Sequence, residues 1–248
     1  MIRLLSQADT PLLEGLCAES SNACRIKAIW RAYGMGCPFV RFFGNEDGSL
    51  LIGEEDGLAV LWCSSHEQVI EAAEFLPLLT REVLSEMPLR LPGFLEEQGT
   101  IYERQPFDPL LLDGVKTDIG SAYPLLTEVF PGIVPEGNYE KWYADFSHRL
   151  RHGMSKVYTL PGVVTATAYC LENGRLMLSQ LGVAEAERGK GWGKQMLAHI
   201  CADNLPFSRL ILHSQDKVSD GFYTHMGFEA VGKWYYYGRE EEEVSKGI

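Results

Sequence analysis

The 248-residue sequence contains no C-x-x-C pair and no H-E-x-x-H or comparable histidine spacing. Its six cysteines (Cys17, Cys24, Cys37, Cys63, Cys170 and Cys201) are scattered. A disulfide framework is not expected in so long a chain, and the cysteines read as reduced and mostly buried. The six histidines suggest no metal site. No apolar run approaches membrane-spanning length, and Asp9 and Glu14 break any secretory core near the N-terminus. A cytoplasmic protein with no membrane partner is expected. Basic residues are also scarce: 22 Lys and Arg face 34 Asp and Glu, a formal net charge of −12. That balance speaks against a nucleic-acid partner, which calls for a basic surface. Short-period repeats are missing too.

What is present is the pattern of a mixed α/β protein. ADTPLLEGLCAES and NACRIKAIWRAYG carry apolar residues at helical spacing. FVRFFG, SLLIGEED and LAVLWCS follow as strands, divided by N-E-D-G and E-D-G turns. SSHEQVIEAAEFLPLL then predicts a helix capped by serines, with Val69, Ala72, Ala73 and Leu76 on one face. Two prolines and a D-G dipeptide in RQPFDPLLLDG mark a boundary near Phe107 to Val115, giving domains 1–110 and 111–248. The second half repeats the plan. Helices are expected over Ile119 to Phe130 and Asn138 to Arg151; the aromatics of the second read as core, with a lining of the acceptor site as the alternative. Strands follow in SKVYTL, GVVTATAYC and RLMLSQLGV, with an E-N-G hairpin turn at 172–174. RLILHS is a further strand, SDGFYTHMGF contains a short helix, and EAVGKWYYYG reads as a final strand pair. The tail REEEEVSKGI reads as solvated. The shared order of helices, strands and helix suggests a diverged duplication.

One stretch departs from the acidic background. VAEAERGKGWGKQMLAHI, residues 183–200, places three glycines among basic residues between an apolar strand and an amphipathic helix. Gly189, Gly191 and Gly193 let backbone N–H groups converge on an anion with no side chain between. The helix they open adds its positive N-terminal end, and Arg188, Lys190 and Lys194 add charge. Trp192, Met196, Leu197, Ile200 and Cys201 share the face that packs on the sheet. The P-loop pattern fails, because no Ser or Thr follows a Gly-Lys. A dinucleotide fold would need G-x-G-x-x-G directly after its strand and further βα units of ~30 residues each. A glycine-rich corner closing a strand–helix turn is the structural alternative.

The neighbours of this stretch carry a resemblance. R-G-K-G-W-G at 188–193 matches R/Q-x-x-G-x-G/A, and LSQLGVAEAERGKGWGKQML resembles the strand, connector, loop and helix of the GNAT superfamily of N-acetyltransferases. GFYTHMGF is similar to that family's closing F/L-Y-x-x-x-G-F. The resemblance covers roughly Asp118 to Tyr237. It implies the acyl-CoA N-acyltransferase fold and transfer of acetyl from acetyl-CoA to a primary amine by direct attack. It assigns Leu181, Gly182 and Val183 to the pantetheine arm, with a bulge at Gly182 and the Val183 N–H near the thioester carbonyl. Arg188, Gly189, Lys190, Gly191, Trp192, Gly193 and Lys194 take the pyrophosphate. Tyr223 matches the tyrosine that protonates the departing thiolate, and Phe222 and Phe228 pack beside it. Gly227 suits the helix C-terminus.

Two positions depart from the family. Asp216 stands where many members carry a CoA-contacting asparagine, and Met177 stands where some carry a glutamate base. Water relayed to solvent is the expected proton acceptor, with His213, the nearby imidazole, as a helper or else a packed or surface residue. The N-terminal half resembles a degenerate GNAT copy, since SSHEQV stands where the glycine loop would be. It is expected to shape the acceptor cleft or a homodimer interface. A non-catalytic acyl-CoA-binding or sensing module, and a structural protein with a vestigial loop, are the rival classes.

Overall fold

The computed structural model describes residues 1–16, 20–106, 108–131, 139–170, 175–204 and 209–240. Phe107, the 172–174 turn and most of the acidic tail lie outside the described residues. In chain order the elements are β1 (Arg3–Leu4), a 3₁₀ turn at Gln7–Asp9, α1 (Thr10–Gly15), α2 (Ser21–Tyr33), β2 (Val40–Gly44) and β3 (Leu50–Glu55). β4 (Leu58–Cys63), α3 (His66–Leu79), β5 (Glu82–Ser85) and β6 (Phe94–Arg104) come next. After them run α4 (Ile119–Val129), α5 (Tyr139–Arg151), β7 (Ser155–Leu160), β8 (Val164–Cys170) and β9 (Arg175–Val183). A 3₁₀ turn at Glu185–Glu187, α6 (Trp192–Asp203), β10 (Arg209–Ser214), α7 (Lys217–His225) and β11 (Glu229–Arg239) complete the chain.

Two compact units result: Met1–Thr100 joined by the chain from Gly232, and Ile101–Val231. The division falls at Thr100 and Ile101 within β6, ahead of the proline-marked stretch, and the last strand returns to the first unit. The expected final strand pair is one continuous strand, β11. Gly232 lies within it without turning the chain. β5 and β6 had no clear signal. EVLS is only four residues long, and FLEEQGTIYER is exposed or half-buried except at Ile101 and Tyr102.

In the first unit the strands run β1-β2-β3-β4-β5-β11, with β4 and β5 parallel and the other pairs antiparallel. Leu50, Ile52, Ala59 and Leu61 face Val69, Ala72 and Leu76 of α3, while Leu51 and Val60 face Ile26 and Ile29 of α2. Both faces are buried, so these strands read as continuous apolar runs. The E-D-G turn is a tight hairpin, Asp56 and Gly57 both taking positive φ.

The second unit has the order β10-β9-β8-β7, with the end of β6 beside β10, where Arg209 reaches Glu103 at 2.7 Å. β9 and β10 are parallel; β7, β8 and β9 are antiparallel. One face buries Met196, Leu197, Ile200 and Cys201 of α6 against Ala166, Ala168, Leu176 and Leu210. The opposite face takes Ile119, Ala122 and Leu126 of α4 against Val157, with Trp142 and Phe146 of α5 alongside. Among the described residues no helix is long and apolar enough to cross a membrane. Cys24, Cys37, Cys63 and Cys201 are unbridged.

Candidate active site

The site begins with a mismatch in one strand. Thr167 of β8 pairs with Gln180 of β9, but the next residue, Ala168, pairs with Leu178. Ser179 is therefore left over as a bulge, which bends β9. The parallel ladder with β10 runs from Arg175 with Arg209 to Leu178 with Leu212 and goes no further. Beyond the bulge β9 parts from β10, and its edge at Gln180–Val183 is left to whatever enters the split. The Ala184 N–H bonds to the Val163 carbonyl at 2.9 Å on the β8 side. Backbone groups alternate along a strand, so the Val183 N–H and carbonyl turn toward the split. Arg188 Nε approaches that carbonyl at 3.4 Å.

The bulge is at Ser179 rather than at Gly182, which pairs regularly with Thr165. Gly182 is a glycine for a different reason. A Cβ there would lie 2.9 Å from Val129 Cγ1 and 3.0 Å from Phe130 Cε2, because the end of α4 closes directly over it. Nothing in the local sequence reveals that neighbour.

Past β9 the three loop glycines do different jobs. Gly189 (φ +77°) and Gly191 (φ +83°) hold left-handed backbone that other residues adopt only with strain. Gly193 is already helical, and a Cβ on it would meet Phe222 Cζ at 3.2 Å. Gly191 caps α6 without a side chain, so the N–H groups of Trp192, Gly193 and Lys194 have no partner within the helix. Glu187 braces the loop. It accepts from Lys190 Nζ at 2.9 Å and from Trp192 Nε1 at 3.0 Å, and the Lys190 contact is the main cause holding its carboxyl below the usual range.

These elements enclose a cleft of about 830 Å³. Leu181, Gly182, Val183, Arg188, Gly189, Gly191, Trp192, Gly193, Lys194, Asp216, Phe222 and Tyr223 all line it. Lys190 does not; its ammonium is turned to Glu187. His213, half-buried on β10, does not line it either. Met177 is fully buried. The sequence reading missed Val129 and Phe130 at the end of α4, Val218 and Ser219 at the start of α7, and Glu187, His225 and Met226.

Asp216 has a local task. Its Oδ1 accepts from the N–H groups of Val218 and Ser219 at 2.8 and 2.9 Å, and its Oδ2 accepts from Ser219 Oγ at 2.7 Å. It is the N-cap of α7, and the Ser219 hydrogen bonds hold its carboxyl below the usual range. The signal was legible, since an aspartate opening a short helix is a capping residue. At the other end of α7, Gly227 takes φ +77° and the Phe228 N–H bonds to the Tyr223 carbonyl at 3.0 Å. Tyr223 is thereby held, its ring 5.2 Å from Phe222, 5.4 Å from Phe228 and 6.2 Å from Tyr102. Burial, with a smaller contribution from Asp216, pushes the phenol up to about 12, so it keeps its proton throughout the neutral range. Its hydroxyl makes no hydrogen bond among the described residues.

The first unit closes the corresponding place. β4 and β5 pair in parallel from Leu58 to Val60, and the fully buried Asn22 then spans the two strands. Its Nδ2 donates to the Leu61 carbonyl at 2.9 Å and the Leu84 carbonyl at 3.3 Å. Glu86 fixes the start of α2 by accepting from Ser21 Oγ at 2.5 Å and from the Asn22 N–H at 2.9 Å. Between β4 and α3 no residue has positive φ. Ser65 occupies the N-cap position of α3, but its hydroxyl donates to Gln68 at 2.7 Å rather than capping backbone.

Residues 119–228 match the family model described as acetyltransferase (GNAT) family. The second unit is therefore built on a GNAT domain, and the match supports acyl transfer at the level of the family. Among solved structures, a tandem GNAT protein from the clavulanic acid biosynthesis pathway is similar at TM-score 0.60 and 12% identity, over 98% of this chain and 99% of its own. A GCN5-related N-acetyltransferase from Sphaerobacter thermophilus is similar at TM-score 0.60 and 13% identity, over 100% and 98%. A GNAT-family acetyltransferase from Colwellia psychrerythraea gives TM-score 0.55 and 11% identity over 97% and 100%. At such identities the likeness is one of fold. It covers both halves, and the N-terminal half is GNAT-like. No curated protein matches the chain.

Proposed function

We propose that the second unit transfers an acetyl group from acetyl-CoA to a primary amine by direct attack. The observation that carries this reading is the meeting of three features in one cleft: the β9 edge freed by the bulge, the glycine loop at the start of α6, and Tyr223. Acetyl-CoA supplies an acyl group activated as a thioester. The N-terminal turn of α6 with Arg188 and Lys194 holds its pyrophosphate, and Gly193 and Phe222 leave no room for a side chain between them. The Val183 N–H is turned to hold a carbonyl oxygen. Tyr223 Oη carries the proton that a leaving sulfur needs. Calorimetry with acetyl-CoA, followed by a thiol-release screen across amines, tests the reading; failure to bind overturns it.

The same reasoning gives a stoichiometry. Asn22 already occupies the carbonyls that a splayed β4 and β5 would offer, so full-length protein should bind one acetyl-CoA per chain. A calorimetric stoichiometry of two would refute the view that the first unit has lost its site.

One observation favours a second reading, a non-catalytic acyl-CoA-binding module: Met177, fully buried, cannot accept a proton. Tight binding without thiol release from any amine would establish it. If transfer does occur, the amine must reach its free form without help from β9. An alkylammonium has a pKa of ~10.4, so its free fraction rises about tenfold per pH unit below that value. Activity should therefore climb from about pH 6 to about pH 9, and His213→Ala should cost little. A loss of several hundredfold in that variant, with an acid limb near ~6.5 abolished and acetyl-CoA binding intact, would make His213 the base instead.

A further inference from the structure

Where the acyl end of a thioester would lie follows from the order of the cleft along β9. The glycine loop comes after Val183, so an arm anchored there and laid along the freed edge runs back past Val183 and Gly182 toward Leu181. Side chains alternate along a strand. Leu181 and Val183 turn to the α6 side, where they pack on the same core as Trp192, Phe222 and Tyr223. That face is filled. Gly182 faces the end of α4, and on that side the strand itself contributes no side chain.

The space over Gly182 is taken from α4 instead. Val129 Cγ1 and Phe130 Cε2 stand 2.9 and 3.0 Å from where a Cβ on Gly182 would be, and both residues line the cleft. Any side chain at 182 would meet them first, so this glycine admits the two residues of α4 and brings them against the backbone. Phe130 is firmly held. Its N–H bonds to the Leu126 carbonyl at 2.8 Å, closing the last turn of α4, and it packs on the buried cluster of Ile119, Ala122, Leu126 and Val157. Val129 and Phe130 are apolar and half-buried. Packed interiors yield little to added volume, and a single methylene in a hydrophobic pocket is worth about 10–200-fold in discrimination.

Resting on the acetyl-transfer reading above, we propose that Val129 and Phe130, brought close by Gly182, form the end wall of the acyl site and limit the donor to a short acyl group such as acetyl. The Val183 N–H belongs to the peptide that joins it to Gly182, so a carbonyl held there leaves its alkyl end beside Gly182. A methyl group rests against Val129 and Phe130 by dispersion contact. A propionyl or butyryl chain has to displace one of them. Neither side chain can carry a proton, so the two residues select the donor and take no part in the chemistry.

The test needs no acceptor. Calorimetry on the full chain compares CoA, acetyl-CoA, propionyl-CoA and butyryl-CoA. Acetyl-CoA should bind at least as tightly as CoA. Butyryl-CoA should bind at least about tenfold more weakly than acetyl-CoA, with propionyl-CoA between them. Val129→Ala should lower the ratio of the butyryl-CoA Kd to the acetyl-CoA Kd by at least about fivefold. Phe130→Leu shortens the wall at its other residue and should act in the same direction, with circular dichroism checking its fold. The ratio decides, because a merely loosened structure weakens every ligand alike. Butyryl-CoA that binds the unaltered protein as tightly as acetyl-CoA overturns the proposal, as does a ratio that neither variant changes. In both of those outcomes acetyl-CoA still binds, and the transfer reading stands. If neither CoA nor acetyl-CoA binds, the two readings fall together.

Discussion

With an accepted amine in hand, Tyr223→Phe should lower turnover by about 10²–10⁴-fold, the usual worth of a positioned proton donor. The Kd for acetyl-CoA should stay within about twofold, because the ring and its contacts with Tyr102, Phe222 and Phe228 are kept. The physical reason is the state of the phenol. Burial raises it to about 12, so at pH 7 it is protonated, on a residue that lines the cleft. The sign matters: a raised phenol loses its proton only at strongly alkaline pH, so no acid-side limb should be traced to it. Full turnover in the variant would make Tyr223 a packing residue that merely floors the cleft.

Gly191→Val should weaken acetyl-CoA binding by about 10–100-fold. Left-handed backbone costs an L-residue roughly 1–2 kcal/mol, more for a β-branched one, and every ~1.4 kcal/mol is tenfold in affinity. Valine would either distort the loop at φ +83° or stand between the backbone donors and the anion. The melting temperature serves as control. Only Gln195 Nε2, at 3.8 Å, lies near the added Cβ, so no core contact is lost and the melting temperature should fall by no more than the backbone strain of roughly 1–2 kcal/mol accounts for. Unchanged affinity by calorimetry would remove the loop from the binding model.

The chain shows plainly which features a sequence carries on its surface. The left-handed loop, the cap of α7 and the capping glycine after it are contiguous, and each follows from dihedral limits or orphan helix donors acting over a few residues. The continuous apolar runs of β3 and β4 and the apolar stripe of α3 are equally local, and the structure has them at nearly the expected residues. β6 fails that reading because most of its residues are exposed or half-buried, so no period marks it. β11 fails because a glycine within a strand looks the same as a turn until a partner such as β5 is seen pairing with the residues after it.

Residue order alone therefore determined the left-handed glycine loop, the helix it opens and the tyrosine that follows, since backbone dihedrals and helix ends belong to neighbouring residues. Only the tertiary structure decided where the bulge falls, because a bulge is a relation between β8 and β9 and not a property of either. It also decided that Gly182 is a glycine of close approach, since Val129 and Phe130 reach it from more than fifty residues away. In the same way it set Arg149 and Gln180 on one wall. Both border one small cavity because α5 packs on the sheet, a neighbourhood that residue order does not state.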